Sequence, residues 1–394
     1  MMFSKRTNWP LEPNELTQVY RTRRKQGLPI LDLTESNPTQ CGFPYDINRI
    51  LNALSNSQAL VYEPDPRGLL SARRSVAEYY AERGVRLDPD QIFLTASTSE
   101  AYSFIFRLLA DAGDHLLAPR PSYPLFDFLT RLNDLELMDY PLVYDRHWQI
   151  DHTALLSRIT LRTRAILIVH PNNPTGSFVS PEEADFLINC CQEHSLALVA
   201  DEVFSDYVHQ PTGSSPLRSF AEETRTLTFT LSGLSKISAL PQLKCAWVVI
   251  NGPDTIRRQA LDRLEIIADT FLSLSAPIAC ALPQLLDTRH QMQPQILRRI
   301  NANRDYLDSQ ISSSSQVRRL ETQGGWYAIL RVPSICSDEE WALRLIKEDG
   351  VLIHPGHFYD FASEGYLVLS LLPLPEIFEE GTRKLIARIE HDAG

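Results

Sequence analysis

The chain has 394 residues, 43% of them hydrophobic and 22% charged; that is a globular composition, too long for one compact core, so two domains are expected. Its formal net charge of −11 argues against a nucleic-acid backbone or an anionic membrane as the main partner. The one basic run, Arg21, Arg23, Arg24 and Lys25, reads as a solvated helix face.

The N-terminus has no apolar signal core. The first 45 residues carry several prolines and no strand–helix alternation. Leu69 to Arg83 reads as a helix that stops at Gly84, a good C-terminal cap residue. Short apolar runs then follow at Ile92–Thr95, His115–Ala118, Ala165–His170, Leu196–Ala200, Thr226–Leu231 and Cys245–Ile250, and each reads as a buried strand. Between them, Ser180-Pro181-Glu182-Glu183 opens a helix with a serine N-cap, a proline at the first helical position and a glutamate closing a capping box. Strands alternating with helices indicate a mainly parallel sheet covered on both faces. The most apolar stretch, Phe271 to Leu286, is interrupted by Pro277 and Pro283 and is too short to span a bilayer.

After about residue 290 the rhythm changes. Gln293–Ser309 is polar and helical, Trp326–Val332, Val351–His354 and Tyr366–Leu372 read as strands, and a last helix lies near Glu376–Glu390. The expected architecture is α/β: a large domain over 46–290, and a smaller α+β domain built from 1–45 and 291–394. The six cysteines, Cys41, Cys190, Cys191, Cys245, Cys280 and Cys336, show neither a CxxC pair nor metal-ligand spacing. They read as reduced, buried thiols of a cytoplasmic protein with no metal.

In open α/β sheets, ligands bind beyond the carboxyl ends of the strands. There this chain has Pro171-Asn172-Asn173-Pro174-Thr175-Gly176, then Asp201-Glu202, then Ser232-Gly233-Leu234-Ser235-Lys236. Three strands deliver an amide, a carboxylate and an amine to one edge. The order NNPTG, ADEVF, SGLSK resembles the fold-type I aminotransferases of class I and II, the aspartate aminotransferase superfamily. The likeness extends from Asp32 to the C-terminus.

The resemblance implies a large domain that binds pyridoxal 5'-phosphate. Lys236 matches the lysine that forms an imine (Schiff base) with the cofactor aldehyde, a role that needs an amine partly unprotonated at neutral pH. Asp201 matches the acid that keeps the pyridine nitrogen protonated, so that the ring serves as an electron sink. Asn173 matches the amide bonded to the ring hydroxyl. Thr98 and Ser99, with Ser97 beside them, match a phosphate cup at a helix N-terminus, and Ser235 adds a hydroxyl. Tyr123 matches the aromatic stacked on the ring. Tyr62 matches a tyrosine reaching the phosphate of the neighbouring subunit, which implies a homodimer with composite sites.

Three positions depart from the pattern. Lys244 stands where the family has an arginine eight residues after the lysine. It offers a point charge without the bidentate fork, and it is a candidate for lowering the pKa of Lys236. Phe204 replaces the tyrosine of DExY, with Tyr207 three residues on. Val368 stands where an arginine grips the substrate carboxylate before Leu-Ser, so either another cation, Arg67 or Arg331, takes over, or the amine is not a standard α-amino acid. His354 and His357 flank the expected substrate entrance and are kept out of the catalytic set.

The reading is a transaminase that moves an amino group from an amine or amino-acid donor to an oxo acid. A β/γ-lyase or synthase on the same cofactor is the alternative, since the fate of the carbanion depends on substrate groups. A cofactor-binding regulator is disfavoured by the absence of a DNA-binding module, and a nicotinamide enzyme by the absence of GxGxxG after any strand.

Overall fold

The computed structural model describes residues 2–209 and 219–393. An eight-stranded sheet fills the middle of the chain. Its spatial order is Ile92–Thr95, Ala246–Asn251, Thr228–Gly233, Ala197–Asp201, Thr163–Val169, His115–Arg120, Glu136–Asp145 and His147–Ile150. Ala246–Asn251 and His147–Ile150 run antiparallel to their neighbours, and the other strands are parallel to one another. The mainly parallel sheet is as expected.

Alternate residues of each buried strand serve opposite faces. Ala197, Val199, Phe229 and Leu231 pack against Phe104, Phe106 and Leu264 on one side. Leu198 and Ala200 pack against Leu187, Cys190 and Cys191 on the other. The sheet is therefore hydrophobic on both faces, and every strand in its centre reads as an apolar run.

Six of the eight strands coincide with the apolar runs to within two residues. Glu136–Asp145 and His147–Ile150 were not expected. They form a ribbon on the sheet edge where Tyr140, Trp148 and Ile150 are buried but most of their neighbours are not. With only one face partly covered, they lack the continuous apolar signature of the interior strands.

The capping box forms as read. Ser180 Oγ accepts from the Glu183 amide at 3.2 Å, and Glu183 Oε2 accepts from the Ser180 amide at 2.8 Å. The helix Pro181–His194 follows. Glu183 Oε1 also accepts from the Ile150 amide at 2.7 Å, which anchors the edge ribbon. Ser180→Ala is expected to lower the unfolding free energy by about 1 kcal/mol, read from the urea midpoint at unchanged slope.

The apolar stretch Phe271–Leu286 is not broken as its prolines suggested. Ala276–Asp287 is one helix: Pro277 sits in its first turn, where no amide donor is needed, and Pro283 lies inside it. The preceding helix ends where Leu272 turns left-handed at φ 43°. Among the described residues no single helix is long and apolar enough to cross a membrane.

Towards the C-terminus lies a four-stranded antiparallel sheet in the order Arg318–Arg319, Tyr327–Arg331, Tyr366–Ser370, His354–Pro355. The expected strand Val351–His354 is split. Val351–Leu352 pairs in parallel with Leu31–Asp32, whereas His354–Pro355 joins the four-stranded sheet. Long helices Arg289–Ile311 and Pro375–Ala393 cover this unit. One apolar core holds Leu16, Leu33, Ile300, Trp326, Trp341 and Phe378 together with Phe204 and Tyr207 from the segment after the central strands. The C-terminal unit thus shares a core with segments that follow the large sheet's strands, which puts those strand ends at the junction.

Candidate active site

Asp201 ends its strand, in register with Leu231 on one side and Val169 on the other. Lys236 lies just past the strand of Leu231, and Asn173 just past the strand of Val169. The three side chains predicted to work together therefore leave three adjacent parallel strands at their carboxyl ends. Thr98 starts the helix Thr98–Leu109 immediately after the edge strand Ile92–Thr95.

The turn that presents the lysine is set by Gly233. Its backbone is extended, and a Cβ there would come to 2.9 Å of the Cys245 carbonyl and of Ala246 Cβ. Only glycine permits that approach, after which Leu234–Ile237 makes a single helical turn. The NNPTG turn is equally tight. Gly176 has φ +64°, and its carbonyl accepts from the amides of Gln323 and Gly324 at 3.1 and 2.9 Å. This docking carries Trp326 beneath the lysine.

Lys236 Nζ lies 4.6 Å from the centroid of Trp326 and 5.1 Å from that of Phe204. Burial beside these apolar faces disfavours the ammonium and pushes its pKa down to about 8, with Asp201 pulling the other way. A substantial fraction of the amine is thus neutral near physiological pH. Lys244 is exposed and is not among the causes. Desolvation, not a second cation, lowers the lysine, contrary to the expectation for Lys244.

Asp201 is buried. Its Oδ2 accepts from the Tyr102 hydroxyl at 3.0 Å and its Oδ1 from the Val203 amide at 3.1 Å. Burial nonetheless raises its pKa to about 6, with those two hydrogen bonds and Lys236 opposing. Among the described residues Asp201 makes no ion pair, and a buried carboxylate so placed favours a cationic partner. The buried Oδ1 of Asn173 has no hydrogen-bond partner among the described residues. The hydroxyls of Thr98, Ser99 and Ser235 have none within the protein among the described residues, whereas Ser97 Oγ accepts from the Glu100 amide at 3.2 Å as the N-cap. An acid lacking a cation, an unpaired amide and a helix N-terminus with free hydroxyls fit the ring nitrogen, ring hydroxyl and phosphate of pyridoxal phosphate.

Other predicted residues fall differently. Tyr123 is 48% exposed at the rim. Tyr62 is 80% exposed and lines a separate cavity of about 450 Å³ with Leu94, Leu274 and Cys280, so it does not join Lys236 within one chain. Tyr207 does not stand in for the tyrosine replaced by Phe204: its hydroxyl donates to the Lys236 carbonyl at 2.6 Å and holds the backbone instead. Neither arginine offered in place of Val368 is free. Arg67 is bound to Glu265 at 2.6 Å and to the Asp90 carbonyl at 2.9 Å. Arg331 donates to the Glu364 carbonyl at 2.6 Å and stacks on Tyr366. His354 is held neutral, its pKa lowered to about 4 by burial. Of the six cysteines, four are buried as expected; Cys280 and Cys336 are partly exposed, and all are free thiols.

Sequence reasoning missed Tyr102 and Trp326. Tyr102 sits four residues after Thr98 on the same helix face, a spacing that could have linked it to the cup. Trp326 gave no signal, because only the docking of the NNPTG turn brings it to the lysine. Tyr102→Phe removes one charge-assisted hydrogen bond from Asp201 and should lower kcat by about tenfold with KM changed less, as read from steady-state kinetics.

Comparison with known proteins places this geometry. The family model for aminotransferase class I and II matches residues 29–372. Alanine aminotransferase of Mycobacterium tuberculosis is 30% identical over 359 residues, covering 88% of this chain and 82% of the relative. Glutamate-pyruvate aminotransferase AlaA of Haemophilus influenzae is 25% identical over 368 residues, covering 92% and 91%. The solved alanine aminotransferase of Pyrococcus furiosus has the same fold, with a TM-score of 0.89 at 22% identity over 99% of this chain and all of that one. The chain belongs to the class I and II aminotransferases, the fold-type I enzymes that use pyridoxal phosphate to move an amino group from an amino donor to an oxo acid.

Proposed function

We propose that Lys236 and Asp201 carry the transamination. The observation that supports this most is a partly neutral lysine, at a pKa of about 8, set near a buried acid that makes no ion pair among the described residues. Bound pyridoxal phosphate supplies the electron sink that makes the donor's Cα–H acidic. In this reading the Lys236 amine takes the proton from the donor carbon, holds it, and returns it to the carbon where the new C–H forms. Asp201 keeps a proton on the ring nitrogen by its charge, and Tyr102 keeps Asp201 ionised and oriented. Asn173 orients the ring through its hydroxyl, Tyr123 covers it, and Thr98, Ser99 and Ser235 take the phosphate, with exposed Lys244 adding positive charge nearby. Trp326 and Phe204 exclude water from the lysine, which strengthens every charge interaction around it.

Mixing the holoenzyme with single amino donors, without an oxo acid, tests the reading. The visible band of the bound cofactor should be lost in one turnover and restored by an oxo acid. Steady release of ammonia, with the band retained, would contradict it.

The division into 46–290 and 1–45 with 291–394 is supported by the parallel pairing of Leu31–Asp32 with Val351–Leu352, which ties the two chain ends together. A homodimer is supported by Leu60, Val61 and Tyr62, exposed by 89%, 63% and 80% on one segment. So much apolar surface needs a cover. Sedimentation at micromolar protein should give twice the chain mass of 44.8 kDa. Placement in the cytoplasm is supported by the six unpaired thiols.

A further inference from the structure

Beyond Phe204 a row of aromatic rings continues, of which Tyr327 is partly exposed and Tyr359 buried. Phe204 lies 6.4 Å from Tyr327, and Tyr327 lies 6.5 Å from Tyr359, centroid to centroid. Tyr359 OH meets His354 Nδ1 at 3.1 Å. His354 pairs in register with Val368, which is fully buried against Trp148, Ile329 and Tyr359. The position where a guanidinium would stand is thus a fully buried valine packed among rings. The charged side chains acting most strongly on Tyr327 and His354 are Glu35 and Asp32, both acids, and Tyr123 acts on Tyr327 and Tyr359. Arg67 and Arg331 are engaged elsewhere, and His354 is neutral.

A carboxylate entering this cleft gives up water and gains no bidentate cation from position 368, Arg67 or Arg331, while a second carboxylate is also repelled by the acids Glu35 and Asp32. A flat apolar body gains a ring contact on Tyr327, the partly exposed member of the row, with Tyr359 packed behind it. Resting on the transaminase reading, we propose that the cleft selects its donor by an aromatic body and not by an α-carboxylate, so that primary arylalkylamines are donors beside the matching amino acids. In that reaction the C–N bond of the amine is replaced by C=O, giving an aldehyde, and the C=O of the oxo acid is replaced by C–N and C–H. The amine carbon loses two electrons and one C–H proton, and the oxo carbon gains both. Nothing else is oxidised or reduced.

The test compares phenylalanine, 2-phenylethylamine and glutamate as donors to pyruvate with the wild-type holoenzyme. We expect kcat/KM for 2-phenylethylamine within about tenfold of phenylalanine, and glutamate at least about tenfold below both. A site built around the carboxylate would instead reject the amine by roughly 10⁴-fold. A loss above about tenfold for the amine, or glutamate as the best donor, overturns the inference and leaves the transaminase reading standing. No change in the cofactor band with any donor overturns both. Tyr327→Leu, checked for folding by its melting transition, should lower kcat/KM for both aromatic donors about tenfold more than for alanine. An equal loss for all three removes the aromatic wall as the selecting element.

Discussion

Lys236→Ala protein saturated with pyridoxal phosphate should lack the visible band of the wild-type holoenzyme, yield no borohydride-reducible lysine adduct, and turn over at least about 10⁴-fold more slowly. The reasoning is local. Desolvation beside Trp326 and Phe204 lowers the pKa of the Lys236 amine to about 8. Lys236 is also the lysine that shares the strand ends with Asp201, at a turn that Gly233 alone makes possible. No neighbouring amine replaces it, because Lys244 is exposed and the aromatic floor of Trp326 and Phe204 holds no other cation among the described residues. Peptide mapping of the reduced wild-type enzyme should place the adduct on residue 236. An adduct in the Lys236→Ala protein would refute the assignment.

Asp201→Asn should retain cofactor through the phosphate cup and Asn173, yet lose roughly 10³-fold in kcat, because a neutral amide cannot hold the ring nitrogen protonated. The same residue gives a pH signature in protein freed of cofactor. Burial raises its carboxyl from 3.8 to about 6, so folding favours the protonated form. Below about pH 4 it is protonated in both folded and unfolded chains and makes no difference. As pH rises from about 4 to 6 the unfolded chain releases its proton first, and the folded state loses stability, on the order of 3 kcal/mol by pH 7. The amide of the Asp201→Asn variant does not titrate, so the variant's melting temperature should gain on wild type across that interval. Bound cofactor, with its cationic ring nitrogen, should flatten the wild-type slope. Parallel pH curves for the two cofactor-free proteins would show that Asp201 is not strained by burial.

Much of this architecture was legible in the residues alone. Six of the eight strands announce themselves because a mainly parallel sheet buried on both faces needs uninterrupted apolar runs, and Ser180 to Glu183 spell out a helix start that forms with both of its hydrogen bonds. The edge ribbon Glu136–Ile150 was not legible, since a half-solvated edge carries a mixed pattern that local sequence does not distinguish from a loop. Pro283 misled for a related reason: a proline's local penalty is overridden when the rest of the helix buries Ala281, Leu282, Leu285 and Leu286.

At the site the division is sharper. Residue order along the chain determined that an amide, an acid and an amine would leave neighbouring strand ends, because connectivity in a parallel sheet sends every such end to one edge. It could not determine what surrounds the amine. That Trp326 lies under Lys236, that Tyr102 holds Asp201, and that Val368 belongs to a wall of rings all depend on contacts between segments far apart in the chain. Those contacts exist only once the NNPTG turn has docked and the two sheets share a core. The lowered pKa of the lysine is likewise tertiary, since it arises from excluding water and no side chain excludes water on its own.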